Sequence, residues 1–188
     1  MEQIKSIARQ KKSNSQGEKM TYVIWILRII HIIGGVFWVG AALTMTFYIG
    51  PTIGATGEAG QKFAGHFMGK MKFSSMMMIS SVSSIIAGFL LYWIASNGFT
   101  SGWMRSGAGI GFGIGAVFAM IGWVFGILIG RTNTAMAKLG AQIQGKPTSE
   151  QLSPIQALQQ QLGIYSKINA AALLLAVAFM SFARYFSI

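Results

Sequence analysis

Residues 22–49 read YVIWILRIIHIIGGVFWVGAALTMTFYI, and this stretch decides the class of the protein. It contains 28 residues, and Arg28 is its only formally charged side chain. An α-helix of this length rises about 42 Å, which is more than the roughly 30 Å hydrocarbon core of a bilayer. Pro51 follows closely, and proline disfavours helix interiors. The stretch therefore predicts a first membrane-spanning helix that ends before Pro51.

Three further apolar runs predict three more membrane-spanning helices. They cover about residues 73–95, 107–130 and 165–186. The third helix is expected to continue through Leu139, and Ser153 with Pro154 is expected to cap and begin the last one. No segment alternates apolar and polar residues as a half-buried strand would. We therefore predict an all-α fold, an integral membrane four-helix bundle whose helices extend beyond the bilayer.

The remaining segments complete the predicted organisation. Residues 1–20 are polar, basic and rich in Ser and Gln, which is typical of a disordered basic tail. Residues 21–188 are expected to form one four-helix transmembrane domain. Within it, residues 57–72 are expected to form an amphipathic approach to the second span, with a basic stripe beside an apolar stripe.

The composition points to lipid rather than water as the main solvent. Only 10% of the residues are charged, whereas soluble domains carry about 25%. The chain has four Glu, no Asp and no Cys, which excludes paired-carboxylate catalysis, a Ser/His/Asp triad, disulfides and iron–sulfur clusters. The net charge of +11 comes from Lys and Arg near the ends of the apolar runs, a placement typical of contact with lipid headgroups rather than nucleic acid. We therefore expect a multi-pass protein of a prokaryotic plasma (inner) membrane whose main partner is the lipid bilayer.

Small residues recur at helical spacing along the third apolar run. Helices associate in lipid through such residues, because small side chains let two backbones approach closely. We therefore expect Gly122, Gly126 and Gly130 to face a neighbouring helix at close approach.

Arg28 and His31 are the ionisable residues placed clearly inside an apolar run, and such residues often mark function. They are three residues apart and share one helix face, on which Gly34 and Gly35 leave room for a flat ligand or for another helix. The guanidinium favours a neutral imidazole, which is the form that binds metals. The alternative is that Arg28 extends to the interface and His31 bonds to a serine or a carbonyl across the bundle.

A second ligand for haem or a metal at His31 could come from three other residues. Met77 and Met78 offer thioethers, which also suit copper, and His66 offers an imidazole between two lysines. If the first two helices are antiparallel, His31 is expected level with about residue 77, and His66 about 16 Å away along the axis. We therefore expect His31 to ligate together with Met77 or Met78, and His66 to face solvent or headgroups.

The run WILRIIHIIGGVFWVG, residues 25–40, resembles the first helix of small bacterial membrane proteins grouped with the CopD-like copper-resistance proteins. It is also similar to the first helix of HemJ-type protoporphyrinogen oxidases, in the histidine and in the tryptophan seven residues later. The segment GKPT at 145–148, followed by QALQQQ at 156–161 and by Asn169, looks like uncharacterised members of the CopD-like group. The resemblance covers about residues 22–187, and it implies a four-helix bundle with His31 as a haem or copper ligand.

Three hypotheses follow for the function. The first is a small polytopic membrane protein with a pocket at Arg28 and His31 for haem b, or for copper as the less favoured metal. The second is a cofactor-free structural or accessory subunit of a larger membrane complex or of a homo-oligomer. The third is a HemJ-like oxidase, although the residues favour a protein that is not an enzyme. The absorption spectrum of the purified protein would separate these hypotheses, because bound haem gives a Soret band.

Overall fold

The computed structural model describes residues 1–143, 145 and 148–186, except for the side chains of residues 2, 4, 5 and 7–16. The structure is 91% helical, and the residues that it describes contain no strand. Four helices are long and apolar enough to cross a membrane: Gly17–Ala55, Phe73–Ala95, Gly107–Ala141 and Ser149–Tyr185. The predicted all-α class and the four predicted spans are confirmed, and the chain is a multi-pass membrane protein.

The helices follow one another with few irregular residues between them. Their bounds are α1 Glu2–Thr44, α2 Gly50–Ala55, α3 Gly57–Gly65, α4 Phe73–Ala95, α5 Gly107–Ala141 and α6 Ser149–Phe182. Two π-helical turns, Met45–Ile49 and His66–Lys70, follow α1 and α3, and two 3-10 turns, Gly102–Arg105 and Ala183–Tyr185, precede α5 and follow α6. The second span has the predicted bounds, and the third continues past Leu139 as expected.

The four spans form two antiparallel helix pairs. α1 packs mainly against α4, and α5 packs mainly against α6. The two pairs meet at a buried cluster of Trp38, Ala42 and Leu173. Between the pairs, Tyr92 Oη also donates a hydrogen bond of 3.2 Å to the Gly109 carbonyl. The bundle is therefore held together chiefly by contacts within each pair.

Glycines on α5 let it approach α6 closely over part of its length. A Cβ at Gly122 would lie 2.7 Å from Cδ2 of Leu173, whereas a Cβ at Gly126 would make only an ordinary contact, at 3.6 Å. A Cβ at Gly130 would meet nothing within 4 Å. The predicted close approach is confirmed for Gly122 and wrong for Gly130. The next buried residue of α5 beyond Gly122 is Thr132.

The N-terminal segment differs from the predicted disordered tail. Its backbone is helical from Glu2, so that α1 has 43 residues. Residues 2–20 contain no proline and many good helix formers, such as Gln, Glu, Lys and Arg. Extending an existing helix gains one hydrogen bond for each residue that is fixed, so such a segment can continue a membrane helix. No break in the helix therefore marks the predicted boundary at residue 20.

The prediction that Pro51 ends the first helix was wrong. The helical path continues through the first π-helical turn and through α2. In that turn the Gly50 N–H bonds to the Met45 carbonyl, five residues back, so the backbone widens just before the proline. The wider turn accommodates a ring that would otherwise clash with the preceding turn. The helix ends instead at Ala55, and the nearby Gly57 has a φ of +57°, which suits glycine after a helix end.

The last helix begins before the predicted start at Ser153 and Pro154. The Thr148 side chain accepts a hydrogen bond from the Gln151 N–H, and the Gln151 side chain accepts one from the Thr148 N–H. This reciprocal capping box satisfies two amides that would otherwise lack partners, and it fixes the start of α6 at Ser149. Pro154 lies inside the helix. Residues 146 and 147 of the GKPT segment lie outside the described residues.

Candidate cofactor site at His31

His31 lies in α1 and directs its side chain toward α4. Its Nδ1 is 2.8 Å from the backbone carbonyl oxygen of Ser84. A carbonyl oxygen can only accept a hydrogen bond, so Nδ1 carries a proton, and in the neutral imidazole Nε2 then keeps its lone pair. The hydrogen bond therefore fixes both the orientation of the ring and its tautomer.

Two serines of α4 bond back to the α1 backbone. Ser84 Oγ donates a hydrogen bond of 2.9 Å to the His31 carbonyl, and Ser80 Oγ donates one of 2.8 Å to the Gly34 carbonyl. The Ser84 side chain is buried. Polar groups in the bilayer core must find their partners within the protein, because lipid offers none. Together with the imidazole, these serines set one register between α1 and α4.

Gly88 makes room for the imidazole ring. A Cβ at position 88 would lie 2.7 Å from Cε1 of His31 and 2.8 Å from Nδ1, but 3.6 Å from Nε2. The Cε1–Nδ1 edge of the ring therefore rests on the α4 backbone. Nε2 is the ring nitrogen that lies farther from α4.

The site lies in the middle of the membrane. α4 has 23 residues, and its rise of about 34 Å matches the thickness of a bilayer core. Ser84 is the central residue of α4, with equal numbers of helical residues on either side. His31 is level with Ser84, and so it lies about 17 Å from each end of the span.

Nε2 of His31 is available to a ligand. It has no hydrogen-bond partner among the residues that the structure describes, since both polar contacts of the ring are made by Nδ1. In that part of the chain, the side-chain atoms that are both buried and unpartnered are Ser101 Oγ and Trp123 Nε1, so Nε2 keeps accessible surface. Metal-bound histidines usually donate the other ring N–H to a carbonyl or carboxylate, as His31 does to Ser84.

Arg28 lies one turn from His31, on the side toward the N-terminus, and it is exposed on the outer surface of α1. The described residues contain one ion pair, between Lys62 and Glu58, and Arg28 has no part in it. Helical side chains lean toward the N-terminal end of their helix. The guanidinium therefore extends from the level of His31 toward the membrane surface from which α1 enters.

The predicted register between the first two spans was wrong by about two helical turns. His31 is level with Ser84, which is seven residues beyond Met77. Seven residues correspond to about 10 Å along a helix. Met77 packs instead against the buried cluster between the two helix pairs, and Met78 is exposed. The structure therefore does not bring either methionine to His31.

The cause of the difference in register lies just before α4. Lys72 has a φ of +52°, in the left-handed region, and it breaks the helical path ahead of Phe73. Residues 57–72 are therefore not collinear with α4, although the prediction counted them as part of one helix. His66 lies in this segment and is exposed. The distance along α4 from Phe73 to Ser84 is already about 17 Å, so His66 and His31 are not brought together.

The alternative for His31, a bond to a serine or a carbonyl across the bundle, is confirmed by its bond to the Ser84 carbonyl. Ser84 and Gly88 were not identified from the sequence as the residues that meet the ring. The signal that could have found them is the group of hydroxyls at positions 80, 81, 83 and 84 in an apolar span. Hydroxyls at that depth need acceptors on the same or a neighbouring helix, and the backbone carbonyl of a histidine on the facing helix is such an acceptor.

Comparisons of the chain with protein-family models, with curated proteins and with solved structures find no significant match. The resemblance to the CopD-like group and to the HemJ-type oxidases therefore stays a prediction, and it depends on residues 25–40 and on the later segments named with them.

Proposed function

We propose that this protein of the plasma (inner) membrane binds haem b, with Nε2 of His31 as an axial ligand of the iron. One observation carries the proposal, namely an imidazole at mid-membrane depth whose Nδ1–H donates to the Ser84 carbonyl while Nε2 stays accessible. Ionisable side chains at this depth are costly, and they are usually retained where they serve a function. When bound, haem would supply one-electron redox chemistry.

Haem suits this site better than a copper ion. The porphyrin brings four nitrogen ligands of its own, so a single histidine from the protein is enough, whereas a copper ion needs several protein ligands. Among the described residues, no three His, Cys, Asp or Glu side chains come together. Of the two methionines predicted as partners, Met78 lies about 9 Å and Met77 about 10 Å along α4 from the level of His31.

Arg28 suits the polar edge of a haem. The propionates are carboxylates, and the planar guanidinium of arginine pairs with carboxylates through two parallel hydrogen bonds. Arg28 lies between His31 and the membrane surface, which is the side where the propionates of a haem held at mid-depth can reach water. It has no carboxylate partner within the described part of the chain. Arg28 is therefore the residue that would hold a propionate of the bound haem.

The test is the absorption spectrum of detergent-purified protein that was expressed with ample haem. The wild-type protein should show a Soret band, and His31→Ala should abolish it. His66→Ala is the matched control, because His66 is exposed and distant from the site, and it should keep the band. Arg28→Gln should weaken haem binding without changing the axial ligand. A Soret band of unchanged intensity in His31→Ala would refute the proposed ligand.

A cofactor-free structural role is the second candidate function. It is favoured by the two hydrogen bonds between His31 and Ser84, which tie α1 to α4 without any ligand. Under this hypothesis His31→Ala lowers the melting temperature, and the wild-type protein shows neither a Soret band nor bound copper by elemental analysis. That combination of results would rule out haem binding and would support an accessory role in a larger membrane complex or a homo-oligomer.

A further inference from the structure

The connecting segment, residues 57–72, carries an apolar stripe that runs directly into the second membrane span. Phe63 stacks on Phe67, with 5.4 Å between their ring centroids, and Phe67 packs on Phe73 at 4.5 Å. Phe73 is the first residue of α4. Because α4 is only just long enough to cross the hydrocarbon core, Phe73 lies near its boundary. The aromatic stripe therefore begins at the membrane surface.

The residues that the structure describes leave part of this stripe exposed. Phe63 is 50% exposed and Met71 is 60% exposed. Within the described residues, α3 packs against α2 and the second π-helical turn, and that turn packs against α3 and α4. An exposed aromatic stripe that starts at the membrane boundary has the acyl chains and headgroups as its nearest apolar cover.

The charges beside the stripe are mostly positive. The connecting segment contains Lys62, Lys70 and Lys72, all of them exposed, and Glu58 is its only carboxylate. Glu58 pairs with Lys62 at 2.8 Å, and Lys70 and Lys72 have no ion-pair partner among the described residues. Basic residues at a membrane surface attract anionic lipids, by about 1 kcal/mol for each residue near the surface.

We propose that the connecting segment is a binding surface for anionic phospholipid headgroups. Lys70 and Lys72 hold the phosphate group, and Phe63 and Met71 lie against the first carbons of the acyl chains. The amphipathic pattern and the position at the boundary of α4 both match a helix that lies at the interface. This surface is independent of His31, which lies at mid-depth in the membrane.

The absence of cysteine allows a single fluorescent label to test this surface. Gly69→Cys places the label beside Lys70, at a position where a Cβ would meet nothing within 4 Å. The labelled protein is reconstituted in two kinds of nanodisc, both of which contain phosphatidylglycerol and phosphatidylcholine. In one kind only the phosphatidylglycerol is brominated, and in the other only the phosphatidylcholine is brominated. Bromine quenches a nearby fluorophore, so the ratio of the two quenching efficiencies gives the local preference for the anionic lipid.

We expect phosphatidylglycerol to quench more strongly than phosphatidylcholine in the wild-type background. The double substitution Lys70→Gln and Lys72→Gln should bring the ratio of the two quenching efficiencies closer to one. We expect the preference for the anionic lipid to fall about fivefold for each lysine that is replaced. Lys138→Gln, an exposed lysine on α5 outside the segment, is the control and should keep the preference. Equal quenching by the two lipids in the wild-type background, or a preference that survives the double substitution, would overturn the proposal.

Discussion

The imidazole ring of His31 occupies the space that a side chain at position 88 would need. A Cβ at Gly88 would lie 2.7 Å from Cε1, which is closer than real Cβ contacts allow. We expect Gly88→Ala to rotate the ring away from α4 and to break its hydrogen bond to the Ser84 carbonyl. The melting temperature in detergent should fall, with a destabilisation of about 1–2 kcal/mol.

Gly40→Ala is the matched control for this substitution, because a Cβ at Gly40 would meet nothing within 4 Å. It makes the same exchange on the partner helix without touching the ring. If haem is bound, Gly88→Ala should also weaken the Soret band although the ligand itself is retained. Equal melting temperatures for the two variants would contradict the packing of His31 on Gly88.

The register between α1 and α4 can be tested with engineered cysteines. A Cβ at Gly34 would lie 3.3 Å from Cβ of Ser84, and the mean Cβ separation in disulfides is about 3.8 Å. We expect Gly34→Cys with Ser84→Cys to form a disulfide under mild oxidation, as detected by mass spectrometry after proteolysis. Gly34→Cys with Ser74→Cys should stay reduced, because Ser74 lies about 9 Å along α4 from Ser80, whose hydroxyl bonds to the Gly34 carbonyl. The opposite pattern would favour the register predicted from the sequence.

Gly111 of α5 packs closely against the 3-10 turn that follows α6. A Cβ there would lie 2.8 Å from the Cα of Ala183, a backbone atom that cannot rotate away. We expect Gly111→Ala to push the two helices apart and to destabilise the protein by about 1–3 kcal/mol in a detergent melt. Gly130→Ala on the same helix should be neutral or stabilising, since it meets open space and alanine favours helix. A Gly111→Ala variant as stable as Gly130→Ala would show that the helices do not meet there.

Asn169 joins α6 to α5 by a buried hydrogen bond. Its Nδ2 donates to the Gly122 carbonyl at 2.6 Å. Interhelical bonds of this kind contribute about 0.6 kcal/mol on average in membrane proteins, and up to about 1.7 kcal/mol. We expect Asn169→Leu to lower the melting temperature by a corresponding amount. Asn133→Leu, at a less buried position of α5, is the control, and an equal loss in both variants would contradict a specific role for Asn169.

Hydropathy was sufficient to predict the membrane spans, because lipid requires long uninterrupted apolar helices. The bounds of α4 could be predicted for that reason. The helix ends outside the bilayer could not, because they depend on local hydrogen bonds that hydropathy does not report. Pro51 is tolerated inside a helix because a π-helical turn precedes it, and the Thr148 capping box starts α6 before Pro154.

The candidate site was predicted only in part, for a geometric reason. His31 could be identified because an ionisable residue in an apolar run is rare, but its partner depends on the register of α4 against α1. That register was counted through residues 57–72 as if they continued α4. The left-handed backbone at Lys72 interrupts the helix before α4, and His31 lies level with Ser84 rather than with Met77. The first helix also continues past Pro51 to Ala55, and both departures change which residues surround the imidazole.

The division into two helix pairs has a consequence for biogenesis. The first pair is complete in sequence at Ala95, and the hydrogen bonds that Ser80, Ser84 and His31 Nδ1 donate to backbone carbonyls all lie within it. It can therefore leave the insertion machinery as a finished hairpin before the third helix has been synthesised. The second pair likewise carries its own interhelical bond, from Asn169. Membrane insertion can thus proceed in two steps, because the main hydrogen bonds that join the helices of each pair form within that pair.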